Sequence, residues 1–101
     1  MAAEKYYYVY LVTNYTNRVI YTGVTGDLLA RIQQHRDKAN VGFTNRYNAW
    51  KLVYFEQTRE VVSALEREKR IKGGSRATKV ALVESTNPKW RDLYPELLGG
   101  A

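Results

Sequence analysis

The sequence predicts an α+β domain, a small three-stranded antiparallel sheet covered by helices. Three observations carry that expectation. Tyr6 to Thr13, Arg18 to Val24 and Lys51 to Phe55 are runs of β-branched and aromatic residues, which suit a pleated, half-buried strand. Only Asn14-Tyr15-Thr16-Asn17 separates the first two, and that turn chemistry makes them an antiparallel hairpin. Other stretches carry apolar residues three and four apart, bounded by capping residues and glycines, as helices do. The order strand, strand, helix, strand, helix, helix is that of an α+β fold. These patterns leave open where the third strand joins the sheet.

With a four-residue loop, Thr13 faces Arg18, and counting back along both strands sets Tyr10 directly opposite Tyr21. Their Cβ atoms would then lie about 4.5–5.5 Å apart on one face. A one-residue slip would turn the rings to opposite faces. Thr25-Gly26-Asp27 offers caps for a first helix, Leu28 to about Lys38, whose apolar positions are Leu28, Leu29 and Ile32. Ala39 to Trp50 is polar, holds Gly42 and three asparagines, and reads as a loop. After the third strand, a second helix from about Arg59 to Lys72 stops at Gly73-Gly74. Ser75 caps a third helix that ends near Ser85, ahead of Pro88. Trp90, Leu93 and Tyr94 are expected to pack the tail back onto the body.

A chain of 101 residues suits one domain with a modest core, expected over residues 1–95 with a short tail at 96–101. Sixteen Lys and Arg against ten Asp and Glu give a net charge of +6, which favours a polyanionic partner such as nucleic acid. A basic solvated surface would give the same charge. The lack of cysteine excludes disulfides, thiolate zinc sites and a cysteine nucleophile, and a single histidine excludes a multi-histidine metal site. The N-terminal MAAEKYYYVY has no signal-type apolar run, and no stretch approaches the roughly 20 apolar residues of a membrane span. The expectation is a soluble cytoplasmic protein with no membrane partner.

On the second helix, Val61, Ala64, Leu65, Glu68 and Ile71 share one stripe, whereas Glu66 points away. A carboxylate on an apolar face is unfavourable unless a cation or donor meets it. Two readings stay open, a structural salt bridge to an arginine or a ligand for a divalent metal. On the first helix, Arg31, His35 and Lys38 repeat at four and three and align along the border of the apolar stripe. Such a row suits a phosphate: arginine offers a planar donor fork, and histidine shuttles protons near neutral pH. The plainer reading is a solvated basic face with a packing histidine. Among nine tyrosines, Tyr10 and Tyr21 stand out by their pairing. A phenol of pKa about 10 is a poor base unless cations or a metal help it, and Arg31 and a metal at Glu68 would be such help. No Ser-His-Asp set, nucleophile elbow or phosphate-cradling glycine loop competes, so these residues form a candidate centre for phosphodiester hydrolysis.

These same residues carry a resemblance. Tyr8-Val9-Tyr10 and Tyr21-Thr22-Gly23, followed by Thr25, Asp27-Leu28, Arg31 and His35, resemble the signatures of the GIY-YIG nuclease superfamily. Gly42-Phe43-Thr44, Tyr47-Asn48, Lys51 to Tyr54, Arg67-Glu68-Lys69 with Ile71-Lys72, and Asn87 to Leu93 look like its small stand-alone bacterial branch (UPF0213-like). Tyr8 replaces the first glycine of the namesake motif and Thr22 the second motif's isoleucine, and neither change removes a reactive group.

The resemblance implies a GIY-YIG endonuclease-like fold, a three-stranded antiparallel sheet flanked by helices. It also implies cleavage of DNA phosphodiester bonds with Mg²⁺ or Mn²⁺, in a setting such as DNA repair or recombination. Tyr10, Tyr21, Arg31 and His35 would line the active site, and Glu68 would bind the metal. Lys38, Arg46, Tyr47, Lys69 and Lys72 would contact nucleic acid, DNA foremost. Asn87 is either the counterpart of a late active-site asparagine or only a cap of the tail.

The expected mechanism has water attack phosphorus while Tyr10 takes or relays its proton, Tyr21 orients the reactants, Arg31 stabilises developing charge and His35 assists. The alternative is a non-catalytic nucleic-acid-binding module that keeps the basic groove and stacks bases on Phe43, Tyr47 and Trp50. A third reading is a scaffold in which the tyrosine pair and Glu68 are structural. Recognition of backbone shape is expected over base sequence, by a monomer or a weak homodimer.

Overall fold

The computed structural model describes residues 5–40 and 49–99. Along the chain run β1 (Tyr7–Thr13), β2 (Ile20–Thr25), α1 (Leu28–Asn40), β3 (Lys51–Thr58), α2 (Val61–Lys72), α3 (Arg76–Thr86) and the short α4 (Tyr94–Leu97). The sheet order is β2-β1-β3 with both pairings antiparallel, so the α+β expectation holds and the third strand joins the far side of β1. As the central strand, β1 feeds both faces of the sheet through its pleat. Val9 and Leu11 pack with Ala64 and Ile71 of α2 and Val83 of α3 in one cluster. Tyr10 and Val12 pack with Leu28 and Ile32 of α1, Leu52 and Tyr94 in the other.

The hairpin register differs from the expectation. Thr13 pairs with Ile20, Tyr10 with Gly23 and Val12 with Tyr21. The connector therefore runs from 14 to 19, because Asn14 Oδ1 accepts the backbone N–H groups of Arg18 at 3.0 Å and Val19 at 3.2 Å. Asn17 takes the left-handed conformation at φ 61°. Arg76 of α3 then donates to the carbonyls of Asn17 at 2.6 Å and Arg18 at 2.7 Å. The slip is of two residues, and the pleat has period two, so Tyr10 and Tyr21 keep a common face as diagonal neighbours.

β3 extends past Phe55 to Thr58 because the charge of Glu56 is met across the sheet face. Arg67 donates to it from Nε at 2.7 Å and Nη2 at 3.2 Å. Between the pairs Leu11/Tyr54 and Val12/Leu52 the ladder skips Val53, a bulge that frees its carbonyl. Asn87, 1% exposed, satisfies that carbonyl from Nδ2 at 3.0 Å. The same amide donates to Arg91 O at 2.8 Å and accepts from Arg91 N at 3.0 Å. Asn87 is thus the fastener of the tail. Leu93 N then donates to Leu52 O at 2.8 Å, covering the edge of β3 where α4, absent from the expected element order, begins.

Two caps are as expected. Asp27 Oδ1 accepts from Ala30 N at 3.2 Å, and Ser75 Oγ accepts from Thr78 N at 3.2 Å. The stripe on α2 is narrower than its spacing implied. Ala64 and Ile71 are buried, but Val61 and Leu65 are 44% and 47% exposed, and Glu68 sits half-buried on the flank. Among the described residues no helix is long and apolar enough to cross a membrane.

Candidate active site

The Tyr10 ring lies across β2 above Gly23. A Cβ at that position would collide with Tyr10 Cζ and Oη and stand 2.9 Å from Cε1. Glycine is therefore a steric requirement of the tyrosine's placement. Because β2 is an edge strand, the ring carries its hydroxyl toward the rim of the sheet. Two residues of α1 meet it there. Arg31 Nε donates to Tyr10 Oη at 3.3 Å, and His35 Nε2 lies 3.1 Å from the same oxygen. The imidazole also stands beside Tyr21, their ring centroids 5.5 Å apart. Tyr10 is buried, whereas Tyr21 is 40% exposed and forms the open wall of the cluster.

Burial decides the ionisation of the inner pair. It raises the Tyr10 pKa, outweighing the nearby Arg31 cation, and the charges of Tyr21 and Glu68 push the same way. The expected help from Arg31 is thus too small to make Tyr10 a ready base on its own. His35 is pushed down to about 4 by burial and then by the cations of Arg31 and Lys38, so its ring is neutral at pH 7. For Arg31, burial opposes the charge, but interactions with Tyr10 and Tyr21 prevail and hold the guanidinium protonated.

Glu68 approaches from α2 closely enough for its charge to oppose ionisation of Tyr10. It makes no hydrogen bond or ion pair among the described residues, so the salt-bridge reading is not realised. The neighbouring Arg67 turns instead to Glu56. No group of three His, Cys, Asp or Glu gathers among the described residues. A metal at Glu68 would have that carboxylate as its protein ligand, with water and phosphate oxygens completing the shell. That donor set fits a hard cation such as Mg²⁺, which keeps several waters and takes one or two carboxylates.

Lys38 is exposed in the last turn of α1, close enough for its charge to act on His35, and Lys69 and Lys72 are exposed in the last turn of α2. Phe43, Arg46 and Tyr47 lie outside the described residues. Trp50 is not a free stacking platform, because it is half-buried with the Arg36 guanidinium 5.1 Å from its ring centroid. Sequence reasoning missed two contributors. Gly23 needed the true register to be seen beneath Tyr10. Gln34 accepts from Arg31 Nη1 at 2.8 Å, a contact that the i, i+3 spacing could have signalled.

A family model described as the GIY-YIG catalytic domain matches residues 6–81. A UPF0213 protein of Syntrophus aciditrophicus is 34% identical over 83 residues, covering 81% of this chain and 93% of its own. Another, of Haloquadratum walsbyi, is 34% identical over 79 residues, covering 78% and 88%. The solution NMR structure of a UPF0213 protein from Bacillus halodurans superposes with a TM-score of 0.56 over 89% of this chain and 95% of that one. At 24% identity this likeness speaks for the fold alone.

Proposed function

We propose that this chain, which belongs to the GIY-YIG family, is a divalent-metal-dependent endonuclease that hydrolyses DNA phosphodiester bonds at the rim of β2. The observation that carries the reading is the solvent-accessible carboxylate of half-buried Glu68, without a partner among the described residues, whose charge acts on a tyrosine that joins Arg31 to His35. Glu68 would hold Mg²⁺ or Mn²⁺, whose bound charge supplies Lewis-acid polarisation of the phosphate.

The chain's own residues do the rest. Arg31 spends Nε on Tyr10 and one Nη1 hydrogen on Gln34, which fixes the plane of its fork and leaves its remaining N–H groups for phosphoryl oxygens. With Arg31 donating to Tyr10 Oη, the phenol donates its own hydrogen to the neutral His35 Nε2. A proton leaving the attacking water then passes to Tyr10 oxygen as the phenolic proton passes to His35, and no free tyrosinate is needed. This relay answers the raised Tyr10 pKa. A phosphate entering beside Arg31 offsets one of the charges that depress His35, so the imidazole gains basicity as substrate arrives. Tyr21 orients the reactants from the open side. Lys38, Lys69 and Lys72 grip the backbone, which positions a strand without reading its bases.

The test is cleavage of labelled single-stranded, duplex, flap and branched DNAs with Mg²⁺, Mn²⁺ or EDTA, by wild type, Glu68→Gln and Arg31→Ala. Metal-dependent products are expected to vanish in both variants. Because Glu68 has no partner among the described residues, Glu68→Gln should change unfolding free energy by no more than about 0.5 kcal/mol. Folded variants that cleave normally would refute the site, and salt-sensitive binding without products would favour the binding module.

A further inference from the structure

The flank of α1 that faces away from Tyr10 is held by the tail. Around the helix, Ile32 points into the core, Arg31 and His35 fall on one side of it, and Gln33 and Arg36 on the other. Arg36 Nη1 donates to Asp92 Oδ2 at 2.8 Å. Its guanidinium lies 4.7 Å from the Tyr94 ring centroid and 5.1 Å from that of Trp50. One residue row away, Tyr94 donates its hydroxyl hydrogen to Gln33 Oε1 at 2.6 Å. Asp92 is itself fixed, accepting with Oδ1 from Leu52 N at 3.3 Å and Tyr94 N at 3.2 Å.

We propose that Asp92 and Tyr94 are positioning residues, a brace that sets the roll of α1 about its axis and so the aim of Arg31 and His35 at Tyr10. The catalytic part of this rests on the nuclease reading above, whereas the geometric part does not. Surface side-chain atoms sit about 5–6 Å from a helix axis, so a roll of about 10° moves them by about 1 Å. The bonds from Arg31 and His35 to Tyr10, at 3.3 and 3.1 Å, would not survive that displacement. Misplacement of about 1 Å costs catalysis on the order of 100-fold.

The chain has one histidine, so ring ¹⁵N signals in NMR report His35 without ambiguity. Two variants loosen the brace and keep its shape. Asp92→Asn removes the charge beneath Arg36, and Tyr94→Phe removes the donor to Gln33 while keeping the ring. The His35 ring signals should move in both. Turnover on the best-cleaved DNA should fall about 10- to 100-fold with KM within about twofold, and Arg36→Lys should lose less than Arg36→Ala. A purely structural tail predicts a lower melting temperature with unmoved His35 signals and unchanged turnover. Unmoved signals in both variants overturn the brace whatever turnover does, and so do moved signals with wild-type turnover. If the wild type cleaves none of the DNAs, the nuclease reading fails and the ring signals alone decide the brace.

Discussion

Gly23→Ala puts a single methyl group where the Tyr10 ring now lies. The new carbon would stand 2.9 Å from Tyr10 Cε1 and closer still to Cζ and Oη, whereas ordinary contact begins at 3.4 Å. The ring must therefore retreat by at least half an ångström at Cε1 and by more at its hydroxyl end. It has little room, being 1% exposed and packed in the cluster of Val12, Leu28 and Ile32. Overpacking of this kind destabilises a fold by about 1–3 kcal/mol. The hydroxyl would also leave the 3.1 and 3.3 Å contacts with His35 and Arg31. Turnover should then drop on the order of 100-fold. Urea unfolding of Gly23→Ala in the wild-type and Tyr10→Leu backgrounds isolates the collision, since the penalty should largely disappear once the ring is gone. A Gly23→Ala protein as stable and as active as wild type would refute the steric account. A penalty that persists in the Tyr10→Leu background would refute it too.

The other predictions concern protons and the tail. His35 titrates near 6.5 when unfolded and at about 4 when folded, so between these values the unfolded chain binds the proton first and stability falls as pH drops. The gap corresponds to roughly 3 kcal/mol. Urea midpoints at pH 7 and pH 4 should therefore diverge more for wild type than for His35→Gln, and equal losses would show that the imidazole is not held neutral. Asn87→Ala strands the Val53 carbonyl and two backbone groups of Arg91, and should lower unfolding free energy by about 2–4 kcal/mol while leaving Mn²⁺ affinity unchanged. Weaker Mn²⁺ binding with unaltered stability would instead assign Asn87 to the metal site.

How much of this was legible in the sequence depends on the range of the forces involved. That Tyr10 and Tyr21 share a face could be read from alternation, and a miscounted loop did not spoil it because the error was even. Their distance could not be read, since the loop is set by the Asn14 side chain and by Arg76, which arrives from 58 residues away. The row of Arg31 and His35 follows from helix spacing, which is local. The exposure of Val61 and Leu65 does not, because the sheet decides which side of α2 it covers. The roles of Asn87 and Asp92 depend on a bulge and a strand edge, features of tertiary structure that no local pattern encodes.

The contrast between Arg67 and Glu68 locates function within this fold. Every buried polar side-chain atom among the described residues has a hydrogen-bond partner. Arg67 obeys that rule through two bonds to Glu56. Glu68, the next residue, is half-buried, makes no bond or ion pair among the described residues, and lies where its charge opposes ionisation of Tyr10. Since no buried side-chain oxygen among the described residues lacks a partner, the Glu68 carboxylate oxygens are open to solvent and available to a ligand from outside. Arg31, the cation of the Tyr10 cluster, is already engaged with Tyr10 and Gln34. In the proposed reading a divalent cation at Glu68 would, by neutralising the carboxylate, remove one of the influences that raise the Tyr10 pKa.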